Sequence, residues 1–100
     1  MINVSPRQLE VFVKVALLGS VRAASHSLHL TQPAASMALA EMERQLDAPV
    51  FSRERGRLCL NPRGRELLPL AQDILERYAD LARCGGGPKT LVGELRIGAM

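Results

Sequence analysis

Residues 19–51 contain two helix patterns in close succession, and this spacing limits the folds that the chain can adopt. The first pattern is short and follows Ser20, a residue type favoured at the N-cap of a helix. The second follows Thr31, another favoured N-cap, and Pro33 lies in its first turn, where a missing N–H removes no intrahelical hydrogen bond. Only a short break at 29–30 separates the two helices. Helices joined so closely cross at a steep angle, which predicts a helix-turn-helix.

The second of these helices has two different faces. Apolar residues recur at steps of four, three and four along one side, as expected of a core-facing stripe. They are Ala35, Leu39, Met42 and Leu46. The opposite side carries Pro33, Ser36, Met37, Ala40 and Arg44. Small side chains permit close approach and a helix N-terminus favours a phosphate, so this face suits DNA, although small residues also simply make a good helix.

A further helix is predicted before this pair. Ser5, Pro6 and Gln8 combine an N-cap, a proline at the first helical position and a capping-box glutamine. Gly19 ends the helix. Its apolar stripe, which faces the same core, is Leu9, Phe12, Val13 and Ala16.

Positive charge is concentrated directly after the helix-turn-helix. Between residues 53 and 65 the only acidic residue is Glu54, and the local excess of arginine exceeds the net charge of +3 of the whole 100-residue chain. The arginines are Arg53, Arg55, Arg57, Arg63 and Arg65. Leu58 and Leu60 alternate with other residues as in a half-buried strand, and Gly56 can supply a tight turn. The segment predicts a hairpin that could hold phosphates or enter a minor groove, with a solvated hairpin as the alternative.

A long helix is predicted next. Asn61 can cap it and Pro62 fits its first position. Its apolar residues follow heptad spacing: Leu67, Ala71, Ile74, Tyr78 and Leu81, widened by Leu68, Leu75 and Ala82. So broad a stripe predicts a partner helix, and Pro69 predicts a bend.

Taken together, residues 8–68 resemble the N-terminal DNA-binding domain of LysR-type transcriptional regulators. The motifs that carry the resemblance are Phe12, Gly19-Ser20, Ala23-Ala24, Leu30-Thr31-Gln32-Pro33-Ala34 with Ser36, Phe51-Ser52-Arg53, and Leu60-Asn61-Pro62-Arg63-Gly64. The resemblance implies a mainly α fold: a winged helix-turn-helix of three helices plus a two-stranded β wing, followed by a long dimerisation linker helix. It also implies a cytoplasmic bacterial regulator that binds double-stranded DNA as a homodimer, with a tetramer open for the full-length protein.

The same resemblance divides the chain into four parts. Residues 1–61 would form the winged helix-turn-helix, 62–84 the linker helix, 85–90 a hinge and 91–100 the first strand of an effector-binding domain. A small-molecule inducer would act only through that effector domain, because no apolar residues remain in the rest of the chain to line a pocket.

The resemblance and the charge pattern together select the candidate DNA contacts. They are Ser20, Arg22, Thr31, Gln32, Pro33, Ala34, Ser36, Met37, Arg44, Arg53, Arg55 and Arg57. Many members of the family carry arginine where this chain has Met37, so a base or phosphate contact would be absent here or moved to Arg44. Asp47 replaces a common glycine, and aspartate tolerates the left-handed conformation that a turn there needs.

Other site types find little support in the sequence. His26 and His29 have no third and fourth metal ligand nearby, and Cys59 and Cys84 lack C-x-x-C spacing, so neither a metal, a disulfide nor a cofactor is expected. No catalytic arrangement and no membrane span is recognisable, which argues against an enzyme. Two alternatives stay open: a protein-interaction or dimerisation module that uses a winged helix, and a regulatory domain fused to an enzyme.

Overall fold

A computed structural model describes residues 4–84, which form four helices and one two-stranded antiparallel sheet. In chain order the elements are α1 (Pro6–Leu18), α2 (Val21–Leu28), α3 (Gln32–Leu46), β1 (Phe51–Glu54), β2 (Arg57–Leu60) and α4 (Pro62–Cys84). The predicted winged helix-turn-helix with a long following helix is confirmed. The predicted hinge at 85–90 and strand at 91–100 lie outside the described residues.

Local capping sets the ends of the helices. The Ser5 hydroxyl accepts a hydrogen bond from the Gln8 amide (3.2 Å), and the Gln8 side chain accepts one from the Ser5 amide (3.1 Å), which is the predicted capping box. Gly19 ends α1 in the left-handed conformation, with φ of 79°. Asp47 ends α3 in the same way, with φ of 58°, as its tolerance of this conformation predicts.

The core lies where α1 crosses α2 and α3. Its buried apolar side chains are Val11, Phe12, Val13, Val15, Ala24, Ala35, Leu39, Met42, Val50 and Ala71. Phe12 contacts Phe51 of β1, with ring centroids 5.7 Å apart, so the wing is anchored to the central helix. The predicted stripe of α3 faces this core, with its last residue, Leu46, half-buried.

The β wing is a hairpin with a two-residue loop. Phe51 pairs with Leu60 and Glu54 with Arg57, which leaves Arg55 and Gly56 at the tip. Both tip residues have positive φ, 54° and 77°, as a type I′ turn requires. The burial of β2 departs from the predicted alternation: residues 58–60 are all half-buried, since this strand contacts both α1 and α4.

The start of α4 is fitted tightly against the wing. Asn61 caps the helix by accepting a hydrogen bond from the Gly64 amide (2.8 Å), while its side-chain amide donates to the Pro49 carbonyl (2.9 Å). A Cβ atom on Gly64 would lie 2.2 Å from the Val50 carbonyl oxygen, so only glycine allows this approach. The direction in which α4 leaves the domain is therefore set at this junction.

The two halves of α4 have different surroundings. Its first half packs on the core and buries Ala71, whereas every residue from 76 to 84 is exposed. The helix continues through Pro69, although that residue cannot donate to the carbonyl one turn earlier. The bend expected there stays a prediction.

Candidate nucleic-acid interface

A cleft of about 240 Å³ lies between the N-terminal ends of α2 and α3 and the wing. Among the residues that line it are five of the predicted DNA contacts: Ser20, Arg22, Gln32, Ser36 and Arg53. They come from three elements that are separated in the chain and meet only in the folded protein. We refer to this site as the α2–α3–wing cleft.

The first turns of α3 lie exposed beside the cleft. Thr31 caps the helix by accepting a hydrogen bond from the Ala34 amide (3.2 Å). The predicted contacts that follow it are all exposed: Gln32, Pro33, Ala34, Ser36 and Met37. On the opposite side Ala35 and Leu39 are buried. The core therefore holds α3 rigidly by one face and leaves its N-terminal tip open.

A second helix N-terminus borders the same cleft. The Ser20 hydroxyl accepts a hydrogen bond from the Ala23 amide (2.9 Å) and caps α2. Arg22 is exposed in the first turn of this helix, and its carbonyl accepts a hydrogen bond from the buried Ser25 hydroxyl (2.7 Å). Each helix N-terminus carries about half a positive charge, so two of them together favour an anion in the cleft.

The arginines around the cleft have no intramolecular partners. Within residues 4–84, the exposed side chains of Arg22, Arg53, Arg55 and Arg57 form neither an ion pair nor a hydrogen bond. Their charge is therefore available to a ligand. Arg55 also adopts the left-handed conformation, which costs a residue with a Cβ atom about 1 kcal/mol and which glycine or asparagine would adopt more easily. Strain retained at an exposed turn favours a functional role for the side chain.

Arg44 does not belong to this group. Its guanidinium forms an ion pair with Glu41 on the preceding turn of α3, with Nε 3.0 Å from Oε1. Hydrogen bonds from Arg44 and Gln45 lower the pKa of Glu41 to about 2. Arg44 lies twelve residues beyond Gln32, about 18 Å along the helix, and lines a different groove. The Glu-to-Arg spacing of three residues in the sequence is typical of such a pair on a helix.

Sequence reasoning missed several residues of the site. Val21 and Leu58 line the cleft, and Ser52 lines an adjoining groove of about 330 Å³ together with Ser36 and Arg53. Ser52 lies in a motif of the family resemblance and Leu58 in the strand pattern, but neither signal indicated that these residues would line the site. They reach the site because the start of α2, the first turns of α3 and the hairpin border the same two grooves.

Part of the predicted dimer seam lies inside the protomer. Only 3% of the surface of Ala71 is exposed, so this residue is not available to a second chain, and Leu67 and Leu75 also pack against the core. The large apolar residues that α4 leaves exposed are Leu70, Ile74, Tyr78 and Leu81. We call these four the α4 stripe. Leu70 was absent from the predicted seam because it lies outside the heptad positions that the rest follow.

An apolar pocket of about 270 Å³ adjoins the α4 stripe. It lies between α1, α3 and α4 and is lined by Val4, Leu9, Met42, Leu46, Leu67, Leu70, Ala71 and Ile74. The expectation that no apolar residues remain to line a pocket is therefore wrong. Apart from Val4 and Leu70, the sequence assigned these residues to one face of one helix, whereas the packing leaves a gap where three helices meet.

Other kinds of site find no support in the part of the chain that the structure describes. Between residues 4 and 84 no three His, Cys, Asp or Glu side chains cluster closely enough to hold a metal ion. His26 and His29 are exposed, and Cys59 and Cys84 are free thiols. None of the four helices within these residues combines the length and the apolar character that crossing a membrane requires.

A helix-turn-helix with a β wing, with two helix N-termini and unpaired arginines around one cleft, defines a winged helix protein. Residues 6–65 match the family of bacterial regulatory helix-turn-helix proteins of the lysR type. The chain belongs to this family.

Individual relatives agree with this assignment. The chain is 42% identical over 79 residues to an uncharacterized HTH-type transcriptional regulator, YeiE of Escherichia coli K12, a match that covers 79% of this chain and 27% of that protein. It is 38% identical over 88 residues to a probable RuBisCO transcriptional regulator of Trichormus variabilis, covering 80% and 26%. The chain thus spans about a quarter of the length of these relatives.

Solved structures share the fold. The DNA-binding domain of CbnR, crystallised as a complex with DNA, superposes with a TM-score of 0.71 at 30% identity, covering 82% of this chain and 98% of that one. A mutant of OxyR from Corynebacterium glutamicum gives a TM-score of 0.79 at 28% identity, covering 91% and 29%.

Proposed function

We propose that this chain binds double-stranded DNA sequence-specifically, as the DNA-binding part of a dimeric LysR-type transcriptional regulator. The tip of α3 enters the major groove, and the wing arginines contact phosphates or the adjacent minor groove. The observation that carries the proposal is the α2–α3–wing cleft, because it joins an exposed helix tip, two helix N-termini and arginines without partners. The crystal structure of the similar CbnR domain in complex with DNA supports it.

The α4 stripe supports the dimer. Its four side chains are between 49% and 68% exposed and lie on one side of the helix, beside the apolar pocket. Four charged residues of α4 pair within the helix, Arg77 with Asp73 (3.3 Å) and Arg83 with Asp80. An exposed apolar stripe of this length favours association with a second copy. Two recognition helices would then address half-sites about one helical turn, ~34 Å, apart.

The remaining assignments follow from this role. The described unit acts by binding and needs no cofactor, and it works in the cytoplasm, where bacterial DNA is found. Response to a small-molecule inducer belongs to the effector region that full-length regulators of this family carry.

The test is selection of bound fragments from a random or genomic DNA pool, followed by sequencing and by gel shift at several salt concentrations. Enrichment of one interrupted palindrome, bound at least about 10³-fold more tightly than unrelated DNA, is the expected result. Equal affinity for all duplexes would contradict the proposal.

The second candidate is a module that contacts protein through the winged helix. The exposed α4 stripe and the adjoining pocket favour a protein contact of some kind. This candidate predicts no DNA retention in the gel shift, whereas the wing arginines should hold DNA under the first.

A further inference from the structure

The exposed face of α3 carries no cation near its tip. From Gln32 to Ala40 its exposed side chains are Gln32, Pro33, Ala34, Ser36, Met37 and Ala40. The first exposed charged residue along the helix is Arg44, about 18 Å from the start and paired with Glu41. A surface meant for major-groove contact thus presents mainly apolar groups at its leading end.

Met37 dominates this surface. Its side chain is 72% exposed, the largest exposed fraction among the large apolar residues between positions 4 and 84. It lies one turn, about 6 Å, beyond Pro33 on the side of α3 opposite the buried Leu39. Met37 does not pack in the core, so its side chain is free to contact the ligand that the tip of α3 binds.

The groups that each base presents in the major groove limit which base Met37 can recognise. Guanine is recognised by arginine or lysine, which donate to O6 and N7, and methionine has no donor. Thymine is the base that presents a methyl group in the major groove, and apolar side chains contact it. An unbranched thioether can adapt its shape to such a group. Gln32 at the start of the same helix can in turn pair with the adenine N6 and N7 atoms.

We infer that Met37 is a specificity-determining residue that packs against the C5-methyl group of a thymine in each half-site. The inference rests on the proposed function. This contact of Met37 makes the half-site favour an A·T pair at one position. An arginine at the same position of α3 would instead favour guanine.

Replacing thymine by deoxyuridine tests the contact, because this change removes only the methyl group. Each thymine of a selected site is replaced in turn, and affinity is measured for the 100-residue chain and for Met37→Ala. At one thymine per half-site the replacement should weaken the unmodified protein about fourfold, on the order of one buried methylene group. In Met37→Ala the same replacement should change affinity less than about 1.5-fold, since the side chain that senses the methyl is gone.

Three controls keep the outcome interpretable. Met37→Leu retains an apolar side chain and should keep the dependence on the methyl group. Leu17→Ala truncates another exposed apolar residue, one on α1 that does not line the cleft, and should keep the response to deoxyuridine. A C·G pair at the sensitive position should weaken binding, and 5-methylcytosine there should recover part of the loss.

The outcomes separate this inference from the proposed function. If the protein selects a specific site but no thymine shows a Met37-dependent penalty, the inference is overturned and the proposed function stands. If the protein selects no site at all, the proposed function fails first. If Met37→Arg gains affinity for guanine at the sensitive position and loses the response to deoxyuridine, the inference is supported from the opposite direction.

Discussion

The α2–α3–wing cleft and the α4 stripe differ in which of their residues lack a partner in the protein. Both regions contain arginines and large apolar residues. Around the cleft the arginines lack partners, and the large apolar residues lie mostly beneath the surface. In the second half of α4 the reverse holds: Arg77 and Arg83 pair with acidic residues one turn away, and large apolar residues face solvent. Charge without a partner suits an anion, and an apolar stripe suits another apolar surface. The contrast therefore divides one small domain into a nucleic-acid side and an assembly side.

Of the substitutions considered, Ile74→Glu should have the largest effect on dimerisation and DNA binding. A carboxylate in the middle of the α4 stripe opposes burial against a second copy, so the dimer should dissociate. Operator affinity should then fall by about 100-fold or more, because a single half-site loses the gain from linkage. Sedimentation and gel shift measure the two consequences.

The matched control is Gln72→Glu, which adds the same charge on the far side of α4, where Gln72 is exposed. It should leave both association and DNA binding nearly unchanged. A monomeric unmodified chain at micromolar concentration would remove the assembly role from the α4 stripe.

Gln32→Ala, in the cleft, and Arg55→Ala, at the tip of the wing, should separate base recognition from phosphate binding. Loss of a base contact at Gln32 should cost ~1–3 kcal/mol on the specific site and leave nonspecific binding unchanged. Loss of Arg55 should weaken all sequences alike and lower the salt slope by about one unit. Affinities for specific and unrelated duplexes over a salt series distinguish the two. Identical proportional losses with identical salt slopes would contradict this assignment.

Arg55→Asn should change folding stability and DNA binding in opposite directions. Asparagine followed by Gly56 suits a type I′ turn better than arginine does, so the free energy of unfolding should rise by about 0.5–1 kcal/mol. Affinity for every duplex should fall, as in Arg55→Ala. Urea denaturation and gel shift on the same preparations test both signs. A loss of stability would show that the Arg55 side chain supports the wing rather than a ligand.

Arg44→Ala should have the smallest effect on binding, below about twofold, because Arg44 is paired and far from the tip of α3. Its clear signature is the titration of Glu41. The pKa of this carboxyl is lowered to about 2 from an ordinary 4.5, so the stabilisation from the pair is present above about pH 4.5 and is lost as the pH falls through 2. In Arg44→Ala the pKa should return towards 4.5, which carboxyl chemical shifts in NMR can follow. Strong loss of DNA affinity would place Arg44 in the interface after all.

Local signals in the sequence were sufficient for the elements themselves. Ser5, Ser20 and Thr31 cap helices through hydrogen bonds to amides three residues away, and such short-range contacts do not depend on the rest of the fold. The turn at the tip of the wing could also be predicted from the sequence, since Gly56 takes a positive φ that few other residues adopt. Helix spacing also identified the core face of α3 correctly.

The sites depended on long-range packing. Arg22, Gln32 and Arg53 line one cleft because α1 holds both α2 and α3 while the Phe12–Phe51 contact brings the wing beside them. The heptad spacing of α4 likewise could not predict which side of the helix remains exposed. An apolar stripe on a helix has the same sequence pattern whether its own domain or a partner covers it, and the docking of α4 at Gly64 turns Ala71 inward and leaves Leu70 in solvent. Periodicity shows which residues share a face, whereas only the arrangement of the helices in space determines what that face meets.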